Sequence, residues 1–202
     1  MRRTFFIVAG ILVLLAGGGF VLKNVFEGSI TSARAGEVSQ RAADELQKKI
    51  DDIRNTEEAG NQGKEIEVSE TELESYVLYE LRSQIPTQLD SIDVQLSPGA
   101  VAADTQLTFG TMNTGNPVVD TLVTGTHNLF IKGKLAGAEG RGKFDLEEIR
   151  VDGIPVPKIL IESLFKKYVK PKYPDADLAE PFDLPWGIEQ LSIEQGKAKI
   201  RY

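Results

Sequence analysis

The sequence contains no cysteine and only one histidine. Without cysteine there is no disulfide, no thiolate metal site, no cysteine nucleophile and no lipid-modified cysteine behind a leader segment. A domain with a sufficient core also lives in an oxidising space without disulfides, so this absence leaves the compartment open. The lone His127 lies in Thr126-His127-Asn128-Leu129, at the expected start of a strand. No serine or aspartate is marked as its partner, and a histidine-based metal site needs ligands the pattern does not supply. It reads as a strand-end histidine.

Positive charge is also scarce. The net charge is −7, and of the 23 basic residues Arg2, Arg3 and Lys23 precede residue 24. That leaves 20 basic against all 30 acidic groups, a balance of −10. Phosphate contacts need concentrated positive charge, so a nucleic-acid partner is not expected. The acidic residues Asp175, Asp177, Glu180 and Asp183 lack the turn glycine and closing glutamate of a calcium loop. The glycines between Gly137 and Gly142 lie between two strands rather than between a strand and a helix, which argues against a phosphate cradle. The expectation is a protein with no catalytic residues, no cofactor and no metal. Its 202 residues, 41% hydrophobic, suit one ordinary domain with appendages.

What the chain does have is a long apolar run at its start. Thr4 to Leu22 carries no charge. As a helix it is roughly 28 Å long, close to the ~30 Å of a hydrocarbon core. Arg2 and Arg3 precede it, so the positive-inside rule places the N-terminus in the cytoplasm and the rest of the chain outside. Residues 1–23 are therefore expected to be a single-pass anchor in the cell membrane. The alternative is a cleaved signal peptide, because Ala33-Arg34-Ala35 fits an A-x-A site; against it, the run exceeds the usual apolar region of about 7–15 residues.

Residues 24–63 read as a juxtamembrane stalk and linker. Val38, Ala42, Leu46, Ile50 and Ile53 place a narrow apolar stripe on a helix over 36–54. Such a helix either rests on the domain as a solvated stalk or joins a protein partner or a second copy as a short coiled coil. Residues 64–202 read as an extracytoplasmic α+β domain. Ser69-Glu70-Thr71-Glu72 is a capping box that opens a helix carrying Leu73, Val77, Leu81 and Ile85, stopped by Pro86. Alternation then predicts two hairpins, with Ile92, Val94, Leu96, Val101, Ala103, Leu107 and Phe109 on the inner face of the first. In the second, Leu129, Ile131, Leu135, Phe144 and Leu146 point inward, and Lys132 and Lys134 outward. A closing hairpin turns near Gly196. The sum is a curved, mostly antiparallel sheet packed on two or three helices.

Residues 157–170 wind into an amphipathic helix. Leu160, Ile161, Leu164, Phe165, Tyr168 and Val169 share one half, Ile159 falls on the polar half, and the lysines gather toward the C-terminal end, where the helix dipole favours cations. Three segments carry a family resemblance: EVSETELESYVLYEL, VDGIPVPKILIESLF and DLPWGIEQLSIEQGKAKI. Together with the N-terminal run they resemble membrane-anchored bacterial envelope proteins of the YpmS-like and LmeA-like kind, distantly similar to tubular lipid-binding (TULIP) domains. Glu74 stands where such proteins often have asparagine. The resemblance implies a curved sheet wrapping a helix and a groove for an acyl chain, with no catalytic residues. By facing direction, that lipid groove is expected to be lined by Ile131, Gly133, Leu135, Gly142, Phe144, Leu160, Leu164 and Phe165, with the two glycines leaving the room.

Overall fold

The computed structural model describes residues 38–59, 63–82, 88–109, 124–166, 170–171 and 180–202. The expected anchor, the Ala33-Arg34-Ala35 pattern, Ile85, Pro86, Tyr168, Val169, Asp175, Asp177 and the side chain of Leu164 lie outside the described residues. Among the described residues, no helix is long and apolar enough to cross a membrane.

The elements in chain order are α1 (Gln40–Ala59), β1 (Glu65–Ser69), α2 (Glu70–Tyr76), β2 (Gln88–Ser97), β3 (Ala100–Phe109), β4 (Gly125–Ala138), β5 (Arg141–Val151), β6 (Ile154–Pro155), α3 (Lys158–Leu164), β7 (Phe182–Asp183), β8 (Gln190–Glu194) and β9 (Lys197–Arg201). They make an α+β fold around one open, antiparallel sheet. The strands β5-β4-β3-β2 form a meander. The turns suit their residues. Pro98 precedes Gly99 at φ 73°, the type II preference, while Glu139 and Gly140, at φ 53° and 75°, make the doubly left-handed turn that matches strand twist.

The strand β4 is the hinge of the sheet. It pairs with β3 from Gly125 to Lys134, where β3 begins at its turn. Beyond that point its freed edge meets β8 at Gly137, opposite Leu191. The hairpin β8-β9 and then β1 extend from there. Two hairpin turns therefore meet end to end: the Gly99 amide donates to Ile193 O at 2.9 Å, and the Gly196 amide to Leu96 O at 2.9 Å.

Helices α1 and α2 lie antiparallel on the inner face. The capping box is present, with the Glu72 amide donating to Ser69 Oγ and the Ser69 amide to Glu72 Oε2. Burial pushes the Glu72 carboxyl up, but Lys49 at 2.6 Å and the Ser69 donors outweigh it and hold the group below its ordinary value. Past Tyr76 the helix widens into a π turn over Val77–Leu81. The α1 helix is longer than its spacing predicts and is no loose stalk. Ala43, Leu46, Ile50 and Ile53 are all buried, with Ala43 in the place expected for Ala42. Leu46 and Ile50 join the main core, and Ile53 packs with Ile188 and Tyr202. The helix α1 is thus packed on the sheet domain through Leu46, Ile50 and Ile53.

The outer edge of β2 is closed by α2. Val94 N–H donates to Glu74 Oε1 at 2.8 Å, and Leu96 N–H to Glu70 Oε1 at 2.7 Å. The match is geometric. Side chains one helical turn apart stand about 6 Å from each other, and alternate amides on a strand stand about 6.8 Å apart. Two carboxylates thus replace a missing strand and block edge-to-edge pairing.

Candidate functional site

The register sets which side chains share the inner face of β4 and β5. Leu129 faces Val151, Ile131 faces Ile149, Gly133 faces Leu146, Leu135 faces Phe144, and Gly137 faces Gly142, with a bulge between Lys132 and Gly133. Of these, Leu129, Ile131 and Ile149 are buried in the main core, whereas Leu135, Leu146 and Val151 are only half-buried against it. Phe144 is half-buried too. Val101 on β3 and Ile161 on α3 pack on the same cluster and are likewise half-buried. An apolar strip that no helix among the described residues fully covers therefore runs along β4 and β5.

The eight residues expected to line a groove separate into three groups. Ile131, Gly133, Leu135, Gly142 and Phe144 do share this face. The α3 residues divide: Phe165 is half-buried, while Leu160 is 37% exposed. The description of Leu164 stops at its backbone.

The glycines do not leave open room. A β-carbon on Gly133 would stand 2.5 Å from Phe144 Cζ and 2.8 Å from Asp145 O. One on Gly142 would stand 2.7 Å from the Phe182 ring and 2.9 Å from Leu184 Cδ2. Aromatic rings from neighbouring strands stand close against the bare backbone, and glycine leaves them that space. The expectation that these glycines mark an empty space is corrected: they are seats for Phe144 and Phe182. The strip's remaining exposed surface lies beside them, at Val101, Leu135 and Leu146. Alternation pointed to Leu146 and Val101, since both were expected inward. Nothing local pointed to Phe182, which reaches Gly142 through the two-residue strand β7, distant in the chain.

His127 is the second feature with chemical interest. Its Nδ1 lies 2.8 Å from Asp152 Oδ2, and the other oxygen of Asp152 accepts from the Asn128 amide at 2.8 Å. Asp152 holds this position from the left-handed region at φ 50°, in a turn completed by Gly153. The carboxylate keeps the imidazole proton on Nδ1. Nε2 is buried without a hydrogen-bond partner, and the Phe109 ring stands 5.9 Å away. No hydroxyl is bonded to Nε2, so the pair serves to fix the β5-β6 turn onto β4. Among the described residues, no group of His, Asp or Glu side chains could hold a metal ion.

The chain matches no protein-family model and no curated protein. The α+β fold and the geometry of its own side chains are what bear on function.

Proposed function

We propose that this is a single-pass, membrane-anchored protein of the bacterial cell envelope. Its extracytoplasmic domain holds a lipid acyl chain or a similar apolar group and catalyses no reaction. The observation that carries the reading is the uncovered apolar strip on β4 and β5. Aliphatic and aromatic side chains there stand half-exposed on the face that elsewhere forms the core. An acyl chain laid along Val101, Leu135 and Leu146 removes that surface from water, and each methylene buried contributes about 0.8 kcal/mol. The uncharged run from Thr4 to Leu22 and the resemblance to YpmS-like and LmeA-like proteins support the same reading, including its TULIP-like curvature.

The test is lipid extraction from the full chain purified in detergent, followed by mass spectrometry and by titration with an apolar fluorescent probe. Co-purifying lipid near one equivalent is expected, with probe binding lost in Leu146→Lys. A lipid-free protein that binds no probe overturns the reading. That outcome favours the second reading, an anchored interaction protein with a self-filled core. A specific observation supports it: Phe144, Phe182 and Leu184 already occupy the space over Gly133 and Gly142.

A further inference from the structure

The α3 corner is the most apolar exposed point among the described residues. Ile159 is 76% exposed and Leu160 37%. Inside a domain of net charge −10, the stretch from Val156 to Pro171 carries four lysines and one glutamate. The sequence offered a local reason for those lysines, since cations suit the last turn of a helix. That reason does not extend to Lys158. The α-helical stretch ends at Leu164 and passes into a π turn at Phe165 and Lys166, where the Lys170 amide donates to Phe165 O at 3.2 Å. Lys158 sits in the first turn, where the dipole disfavours a cation, and meets Glu162 only at 3.9 Å in the weaker i,i+4 orientation. Lys166 is exposed in that π turn.

The position of this corner relative to the chain's N-terminal side is fixed by register. Ile149 faces Ile131, Ile131 faces Ala103, and Ala103 faces Val94. The chain enters α3 at the level of Ile149, where the Val156 amide donates to Ile149 O at 2.8 Å. On the opposite edge, Glu74 binds the Val94 amide, and the adjacent Ser75 accepts from the Ser39 amide at 3.1 Å, just before α1. The chain thus leaves the domain toward residues 1–37 at the same height as α3. Residues 24–38 span at most about 50 Å, so the corner stays within reach of the bilayer that residues 4–22 are proposed to cross.

We propose that Ile159 and Leu160 insert into the headgroup boundary of that bilayer, with Lys158 and Lys166 facing anionic lipid. The proposal rests on the anchored reading above. The occupant is a lipid surface because the exposed pair is aliphatic, its flanks are cationic and the chain is tethered at this level. An apolar pair ringed by lysines enters such an interface to a depth of about 5–10 Å.

The natural absence of cysteine makes the test direct. Ile159→Cys and, as a control, Ala138→Cys are each labelled with an environment-sensitive fluorophore in the full chain. Ala138 is exposed and lies seven residues along β4 from Ile131, about 24 Å toward the far end. Each protein is reconstituted into phosphatidylcholine vesicles containing nitroxide-labelled lipid, with and without phosphatidylglycerol. The label at 159 is expected to be quenched and the label at 138 not, with more quenching when phosphatidylglycerol is present. Lys166→Gln is expected to lower occupancy of the contact about fivefold. If the chain floats with the vesicles but 159 is quenched no more than 138, the corner proposal is overturned and the anchor stands. If the chain does not float with them, both fail. Equal quenching with and without phosphatidylglycerol overturns the role given to the lysines.

Discussion

The two halves of the meander are built from similar alternating strands but end up covered very differently. Over β2 and the second half of β3 the inner face is sealed, with Leu89, Ile92, Val94, Leu107 and Phe109 all buried. Leu96 is 1% exposed, and even the outward amides of β2 are bound by Glu70 and Glu74. Along β4 and β5, Leu135, Phe144, Leu146 and Val151 remain half-exposed. The sealed half is where the fold gains its stability. The half-covered side is where the proposed apolar ligand would lie.

The most forceful way to break this comparison is to truncate one leucine in each half. Leu96→Ala is expected to cost about 3 kcal/mol, because it removes a fully buried side chain and leaves a cavity. Leu146→Ala is expected to cost about 1 kcal/mol, since much of its surface is wet already and a void there is open to water. Urea denaturation of both variants checks this. Equal losses would mean that the second half is as sealed as the first.

A smaller effect concerns the strand edge. Glu74 is 3% exposed and accepts the Val94 amide. Glu74→Ala leaves that amide unbound in the core and is expected to cost about 2 kcal/mol. Glu74→Gln keeps an acceptor and is expected to recover more than half of it. A loss below about 0.5 kcal/mol for the alanine variant would show that this edge needs no closure.

The smallest effect is on the outer face, where Asp93 and Asp104 stand directly opposite on β2 and β3. Burial, and then the Asp93 charge, raise the Asp104 pKa above its ordinary value. The native state therefore holds this proton to higher pH than the unfolded chain does. This site's contribution to stability falls as pH rises from the ordinary aspartate value of about 3.9 through the raised one. Asp104→Asn is expected to stabilise the protein by roughly 0.2–1 kcal/mol at neutral pH and to flatten that fall. Urea midpoints measured across the acidic range decide it. A destabilised variant would show that Asp104 is held by favourable contacts.

Much of the fold is legible in the sequence. The capping box at Ser69, the turn at Pro98-Gly99, and the inward sets of β2, β3, β4 and β5 all follow from local chemistry. The candidate site is legible only in part. Alternation places Ile131, Leu135 and Phe144 on one face, but it does not say whether that face is covered. Gly133 and Gly142 look like open space because the residues that fill them depend on a diagonal contact and on a distant strand. The stripe on α1 is visible as a stripe, but not as part of the core, because the same spacing serves a solvated stalk, a coiled coil or a packed helix.

The sequence by itself determined the elements, their faces and the acidic balance, because backbone preference and side-chain parity act over a few residues. The tertiary structure alone decided which faces were sealed. It brought Glu70 and Glu74 to a strand edge 20 or more residues away and set two hairpin turns end to end. It also left Ile159 outside. Each of these depends on register between segments distant in the chain, and register is settled by the packing of the whole sheet.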